Sequence, residues 1–352
     1  MIKLIHGGDR AGFETEYGKA PLDFSANISP LGLPEGVREA AAKALSSAEF
    51  YPDPLCRELR AALSEHFGIP AENIVCGNGA SDLIYRLSHA LRPKKAAVFV
   101  PGFVEYALAL RESGCVITEI PLSERDFQLT EKQIAMIPSG CELLFLCNPN
   151  NPTGLLTERE TLLSVLELCR ERGMNLCVDE CFLDFCERAG EYSLVGELKD
   201  NPGLVILKAF TKTYAMAGFR LGYALCGSTG LAERLQSSGQ PWPVSGIAQA
   251  AGVDALCELD YVNQLSALIT AERPRMAAAL NKLGLRVIPG EANYLLFHST
   301  DIALAEKLRR RGILIRDCSN FTGLTAGWYR TAIRTAAEND ILLKALGEML
   351  HG

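Results

Sequence analysis

The chain has 352 residues, with 48% hydrophobic and 22% charged, a composition able to bury a sizeable core. Its formal charge of −7 leaves no overall basic field for nucleic acid, and the basic run Arg309–Arg311 falls on the solvated face of an amphipathic helical pattern. No apolar run approaches the ~18 residues needed to cross a bilayer, and the stretch Met1–Arg10 turns polar too soon for a secretory signal.

The predicted elements alternate through the first two thirds of the chain. A helix over Ala61–Phe67 precedes a strand over Asn73–Cys76, then come a helix over Ser81–Leu91 and a strand over Ala96–Val100. A helix follows over Val104–Ser113, then strands over Val116–Ile120 and Leu143–Cys147, a helix over Glu158–Gly173, and strands over Asn175–Asp179, Leu204–Lys208 and Leu221–Cys226. Short apolar runs separated by helical patterns predict an α/β fold with a mostly parallel sheet, covered on both faces. Ligands of such sheets bind beyond the carboxyl ends of the strands. From Val262 the pattern changes. Helices over Val262–Leu283, Ile302–Arg311 and Ala337–Leu350 alternate with strands over Arg286–Ile288, Tyr294–Phe297, Ile313–Arg316 and Trp328–Ile333. That is the signature of a second, smaller α+β unit.

The twelve cysteines include no Cys-x-x-Cys pair, and the cluster Cys177, Cys181, Cys186 has no nearby histidine to complete a metal set. Disulfides and metal are therefore not expected, and free thiols suit a reducing cytoplasm.

Four loops each follow a predicted strand. Gly77-Asn78-Gly79-Ala80-Ser81-Asp82 opens a helix, where backbone N–H groups and the helix dipole face an anion, although a plain helix cap has the same appearance. Asn148-Pro149-Asn150-Asn151-Pro152-Thr153-Gly154 is by itself only a turn signal. Asp179 ends an apolar strand, where a carboxylate needs a cationic partner. Lys212 follows the strand at Leu204–Lys208 in apolar surroundings that would lower its pKa and free a nucleophilic amine, and Arg220 follows eight residues later.

Together, in this order and spacing, the four loops resemble those of the fold-type-I pyridoxal-phosphate enzymes, the aspartate aminotransferase superfamily. The resemblance runs over nearly the whole chain. It implies a large domain over residues 36–250 carrying a seven-stranded sheet, a small domain over 251–352, and an N-terminal segment, 1–35, that packs with the small domain. It implies pyridoxal 5'-phosphate held by Lys212 as a Schiff base, with Asp179 on the pyridinium nitrogen, Asn151 on the ring hydroxyl and Phe103 stacked on the ring. Gly79, Ala80, Ser81, Thr211 and Arg220 would hold the cofactor phosphate. Tyr51, in Tyr51-Pro52-Asp53-Pro54, would reach it from the second subunit of a homodimer with shared active sites. Two positions depart from the pattern. Ala209 stands where relatives have Ser or Thr, and Phe182 where aminotransferases have Tyr.

Within the superfamily, His6-Gly7-Gly8-Asp9, the run Leu22–Gly32, Phe182 and Arg316-Asp317-Cys318-Ser319-Asn320-Phe321 look like the threonine-phosphate decarboxylases of cobalamin biosynthesis. The related histidinol-phosphate aminotransferases share the cofactor loops, and a serine-phosphate decarboxylase is a further alternative. The resemblance implies that His6 and Arg316 bind a substrate phosphate and that Arg330 binds the carboxylate. Asn27 is a second carboxylate contact or a turn residue. Arg334 assists them or forms a structural ion pair.

Overall fold

Seven apolar runs of the chain become neighbours in one sheet, and their burial explains why they read as uninterrupted hydrophobic stretches. The structure is a computed structural model that describes residues 6–123 and 125–350. The outermost parts of the expected segments 1–35 and 251–352, residues 1–5 and 351–352, lie outside the described residues. A two-residue strand, β1 (Leu22–Asp23), comes first. The large sheet follows with β2 (Ile74–Gly77), β3 (Lys95–Val100), β4 (Val116–Pro121), β5 (Leu143–Cys147), β6 (Asn175–Asp179), β7 (Leu204–Ala209) and β8 (Gly222–Cys226). All residues of β2, β5, β7 and β8 are buried. Such strands need both faces covered, and alternate side chains enter two cores. Val75, Val98 and Phe145 enter one, while Cys76, Phe99 and Leu146 enter the other.

The spatial order is β2-β8-β7-β6-β5-β3-β4. β8 pairs antiparallel with both β2 and β7, and the other pairings are parallel. The carboxyl ends of β2, β3, β5, β6 and β7 therefore share one edge. β8 runs the other way and presents its beginning there, with Gly222 opposite both Gly77 and Ala209. A residue that precedes β8, such as Arg220, thus meets residues that follow the other strands.

The C-terminal part builds an antiparallel sheet from β9 (Arg286–Ile288), β10 (Tyr294–His298), β12 (Arg316–Asp317) and β13 (Trp328–Ala332), in the order β12-β13-β10-β9. Between them, β11 (Ile313–Leu314) pairs in parallel with β1, which ties the N-terminal segment to this half. The run Ile313–Arg316, expected as one strand, is thus divided at Ile315. Ile313, Leu314 and Ile315 are all buried, so the alternation that one strand would need is broken where the chain changes partners. The helix Gly246–Ala255 was not expected from its run of small residues. It is helical because it packs closely: a Cβ on Gly252 would lie 2.5 Å from Leu221 Cδ2. Among the described residues, no helix is long and apolar enough to cross a membrane.

One buried ion cluster braces the sheet beside its ligand-facing edge. Lys208 Nζ on β7 lies 2.9 Å from Asp184 Oδ1 and 3.7 Å from Glu180 Oε2. Burial works against the Lys208 charge, but the two carboxylates outweigh it and hold the ammonium above its usual range. Burial pushes the Glu180 carboxyl up, against the pull of Lys208. Removing one partner of such a cluster leaves an uncompensated buried charge. Lys208→Met should therefore lower stability by about 3 kcal/mol, read as a lower denaturant midpoint.

Candidate active site

The edge where the strands end opens into a cavity of about 410 Å³. Of the residues singled out in the sequence, His6, Asn27, Ala80, Ser81, Phe103, Asn151, Asp179, Thr211, Lys212, Arg220, Arg316 and Arg330 line it, together with Phe182 and Ala209. Gly79 lies directly behind it, against Arg220. Tyr51 and Arg334 do not line it.

Lys212 sits in the short helix Phe210–Thr213 that β7 delivers to this edge, and its Nζ donates to Ala26 O at 2.9 Å. Burial, then the nearby Arg330 charge, lowers its pKa to about 8. About a tenth of the amine is therefore neutral at pH 7, far more than for an ordinary lysine, as nucleophilic chemistry requires.

Asp179, the last residue of β6, accepts from Tyr106 Oη at 2.6 Å on Oδ2 and from the Cys181 N–H at 2.9 Å on Oδ1. A carboxylate has about four lone-pair sites, so a further donor in the cavity can still be met. Burial, then Asp179 itself, pushes the Tyr106 phenol well up, which keeps it a protonated donor. Sequence reasoning missed Tyr106, because its partner lies 73 residues away and no local signal marks it.

Asn151 Oδ1 accepts from Arg330 Nη1. A guanidinium only donates, so this contact fixes the amide orientation and leaves the NH2 group for an acceptor in the cavity. That orientation suits the ring hydroxyl of pyridoxal phosphate.

The anion cradle is built by close approach. The helix Gly79–Leu91 starts without a side-chain cap, so its first N–H groups remain available to an anion. Gly79 has φ +80°, and a Cβ there would lie 2.7 Å from Arg220 Nη2. A Cβ on Gly222 would lie 2.6 Å from Ala80 N. Glycine at both positions lets β8 and Arg220 press against the helix start. Arg220 is itself left-handed, at φ 59°, and its side chain lines the cavity beside the start of that helix. Ala209 contributes only a methyl group, and Thr211, also buried, supplies the adjacent hydroxyl. Phe182 packs edge-on against Tyr294, with ring centroids 5.0 Å apart, and its ring lies 5.9 Å from Lys212 Nζ. The donor that a tyrosine would bring is absent from residue 182. The Tyr294 hydroxyl is committed elsewhere, donating to Asn150 O at 2.9 Å. Cradle, acceptor, donor and amine together fit pyridoxal 5'-phosphate.

The other wall of the cavity carries cations. Arg330 is buried, donates to Ser25 O at 3.2 Å and lies 5.1 Å from the Tyr294 ring centre. Its Nε and both amide atoms of Asn27 find no partner among the described residues. Asn27 is 1% exposed, and a buried amide left unsatisfied is costly unless a ligand completes it. Arg316 donates to Asn320 Oδ1 at 2.7 Å and lies over the Phe321 ring. His6 Nε2 lies 2.6 Å from Glu105 Oε1. Of the two roles left open for Arg334, the geometry matches the ion pair: it donates to Glu338 Oε1 at 2.6 Å and to Asp23 O at 3.1 Å. Tyr51 is 80% exposed and stacks on Trp242 at 4.5 Å, outside this chain's own cavity. Among the described residues, no group of three or more His, Cys, Asp or Glu side chains could hold a metal ion. All twelve cysteines are free thiols.

The sequence matches the family model "Aminotransferase class I and II" over residues 19–346. It is 40% identical over 359 aligned residues to the threonine-phosphate decarboxylase of Salmonella typhimurium, covering 100% of this chain and 98% of that protein. The fold superposes on the histidinol-phosphate aminotransferase of Clostridium acetobutylicum with a TM-score of 0.88 at 31% identity, covering 94% of this chain and 99% of that one. It superposes on the L-threonine-O-3-phosphate decarboxylase of Porphyromonas gingivalis with a TM-score of 0.85 at 25% identity, covering 94% and 100%. The chain belongs to the class I and II aminotransferase family, with pyridoxal 5'-phosphate as its cofactor.

Proposed function

We propose that the chain decarboxylates L-threonine O-3-phosphate to (R)-1-amino-2-propanol phosphate, a step of cobalamin biosynthesis. The observation that carries this reading is the buried, unpartnered amide of Asn27 beside Arg330, in one cavity with Lys212, Arg316 and His6. That set suits a small amine bearing both a carboxylate and a phosphate. The full-length likeness to a threonine-phosphate decarboxylase supports the same substrate.

When bound, pyridoxal phosphate supplies an electron sink for the negative charge that develops at the substrate α-carbon. The residues of the chain decide which bond yields its electrons. Arg330 and Asn27 bind the carboxylate. Arg330 is itself fixed by Asn151 and Ser25 O, so it sets the direction of that group. By fixing the carboxylate, Arg330 and Asn27 would select the C–CO2 bond for cleavage over the bond to the α-proton. Asp179, held by Tyr106 and the Cys181 N–H, keeps the ring nitrogen paired with a carboxylate. Once CO2 has left, the Lys212 ammonium would deliver the proton that replaces it at the α-carbon. A lysine with a pKa of about 8 can hold and release that proton near neutrality. Asp179 and Lys212, both in one cavity, weigh against a catalytically dead relative.

A histidinol-phosphate aminotransferase is the second reading, favoured by the 0.88 TM-score to such an enzyme. The division into residues 1–35, 36–250 and 251–352 belongs to this proposal. So does a homodimer, for which the exposed Phe50, Tyr51 and Trp242 at one place provide an apolar face. The free thiols suit a cytoplasmic enzyme.

Threonine phosphate should release CO2 with no keto acid present, and serine phosphate is to be run beside it. Turnover of histidinol phosphate with 2-oxoglutarate, and no CO2 from threonine phosphate, would overturn the decarboxylase reading. Lys212→Ala should abolish turnover and the absorbance of the Schiff base to that lysine, while normal turnover by that variant would refute the role of Lys212. The reactive amine is the deprotonated form, so cofactor uptake by protein stripped of it should accelerate as pH rises through about 8 and then level off. Sedimentation should give twice the chain mass of 38.2 kDa.

A further inference from the structure

Glu105 has no part in the chemistry described so far, yet its carboxylate is 7% exposed and faces the cavity wall. It stands in the first turn of the helix Val104–Glu112, two residues after Phe103. Both oxygens are engaged. Oε1 lies 2.6 Å from His6 Nε2, and Oε2 accepts from Tyr85 Oη at 2.8 Å. His6 belongs to the opposite half of the molecule, because the segment that follows it pairs through β1 with β11. The His6–Glu105 contact is therefore a clasp from the N-terminal segment to the large sheet, beside the Phe103 ring, whose centroid is 5.9 Å from that of His6.

The backbone that carries His6 is fitted to this position. A Cβ on Gly7 would lie 2.3 Å from Ser25 O, and Gly8 has φ +85°. The Gly8 N–H donates to Ser25 Oγ at 2.7 Å, and Ser25 Oγ donates to Asp23 Oδ1 at 2.6 Å. Two glycines thus allow the chain to lie directly on Ser25 and Ala26, and His6 is carried to the rim of the cavity that also holds Arg316.

We propose that Glu105 is a positioning residue for recognition of the substrate phosphate, acting through His6. An ionised carboxylate only accepts, so Nε2 carries the proton toward Glu105 and Nδ1 is left for the substrate. Nδ1 then faces the phosphate, next to the Arg316 guanidinium, and donates to a phosphate oxygen in the form of the ring that carries a proton on both nitrogens. An acidic residue close to a phosphate would ordinarily repel it. Here His6 and Tyr85 cap both oxygens, so the cavity meets the imidazole and not the carboxylate. His6, then Tyr85, pulls the Glu105 carboxyl below its usual range against the effect of burial, which agrees with an ionised clasp. The inference rests on the reading of a phosphorylated substrate.

The test compares wild-type, Glu105→Gln and Tyr85→Phe holoenzymes. Glu105→Gln keeps the shape and removes the charge. It should raise KM for threonine phosphate by about tenfold while kcat stays within about twofold and the cofactor absorbance is unchanged. Tyr85→Phe should shift KM the same way by a smaller factor. Inhibition by unphosphorylated L-threonine should be unaltered in both. An unchanged KM in Glu105→Gln, or equal weakening of phosphorylated and unphosphorylated ligands, overturns the proposal. So does a joint fall of kcat and cofactor absorbance, which would mark Glu105 as a purely structural residue. Failure of the substrate reading shows separately, in wild type. If wild type turns over histidinol phosphate instead, the same KM comparison on that substrate decides the role of Glu105. If wild type binds neither phosphorylated amine, both proposals fall.

Discussion

The guanidinium of Arg330 is the contact on which the rest of the site depends. It sits on β13 of the small sheet, yet it reaches Asn151 in the loop after β5 of the large one and Ser25 O in the N-terminal segment. Three separate pieces of chain are thereby held by one planar group, packed over the Tyr294 ring. Arginine suits this task because its rigid fork of donors meets several acceptors at fixed angles and does not lose its charge when buried. The same charge helps to depress the Lys212 pKa, second only to burial. One side chain therefore orients the Asn151 amide and lowers the Lys212 pKa, and its Nε has no partner among the described residues.

The site departs from local rules where chemistry requires it. Arg220 is held at positive φ, and Asn27 combines positive φ with an unsatisfied buried amide. Each costs stability in the free protein, and each points into the cavity lining. The surroundings offset the cost. The large sheet is buried on both faces, and the Lys208–Asp184–Glu180 cluster braces the segment between Asp179 and Lys212 from behind. Rigid support behind a strained front is how a scaffold holds catalytic groups to a narrow geometry.

Much of this was legible in the residues. The apolar runs of the large sheet appear within one or two residues of their predicted positions, because strands buried on both faces carry a continuous hydrophobic signal. The ends of those strands and the loops after them contain about half of the cavity lining, since a parallel sheet presents its ligands with that edge. Tyr106 and Glu105 were not legible. Their partners lie 73 and 99 residues away, and nothing local distinguishes a tyrosine or glutamate that serves a distant residue from one that faces water. Arg334 illustrates the reverse. Its place near Arg330 suggested a binding role, but Glu338, four residues later on the helical side, takes its charge.

By itself the sequence determined the fold class, the strand-end loops and the set of residue types able to hold a phosphorylated aldehyde cofactor. Those properties follow from hydrophobic period and from short-range spacing, which the chain carries locally. Only the tertiary structure decided which of those residues meet. The reversed strand β8 brings Arg220 to the start of the helix at Gly79, β1 carries Asn27 and His6 to the far wall, and Arg330 closes the gap between the two sheets. Strand direction and long-range pairing leave no local mark in the sequence, because they are set by which buried faces fit each other once the chain has folded.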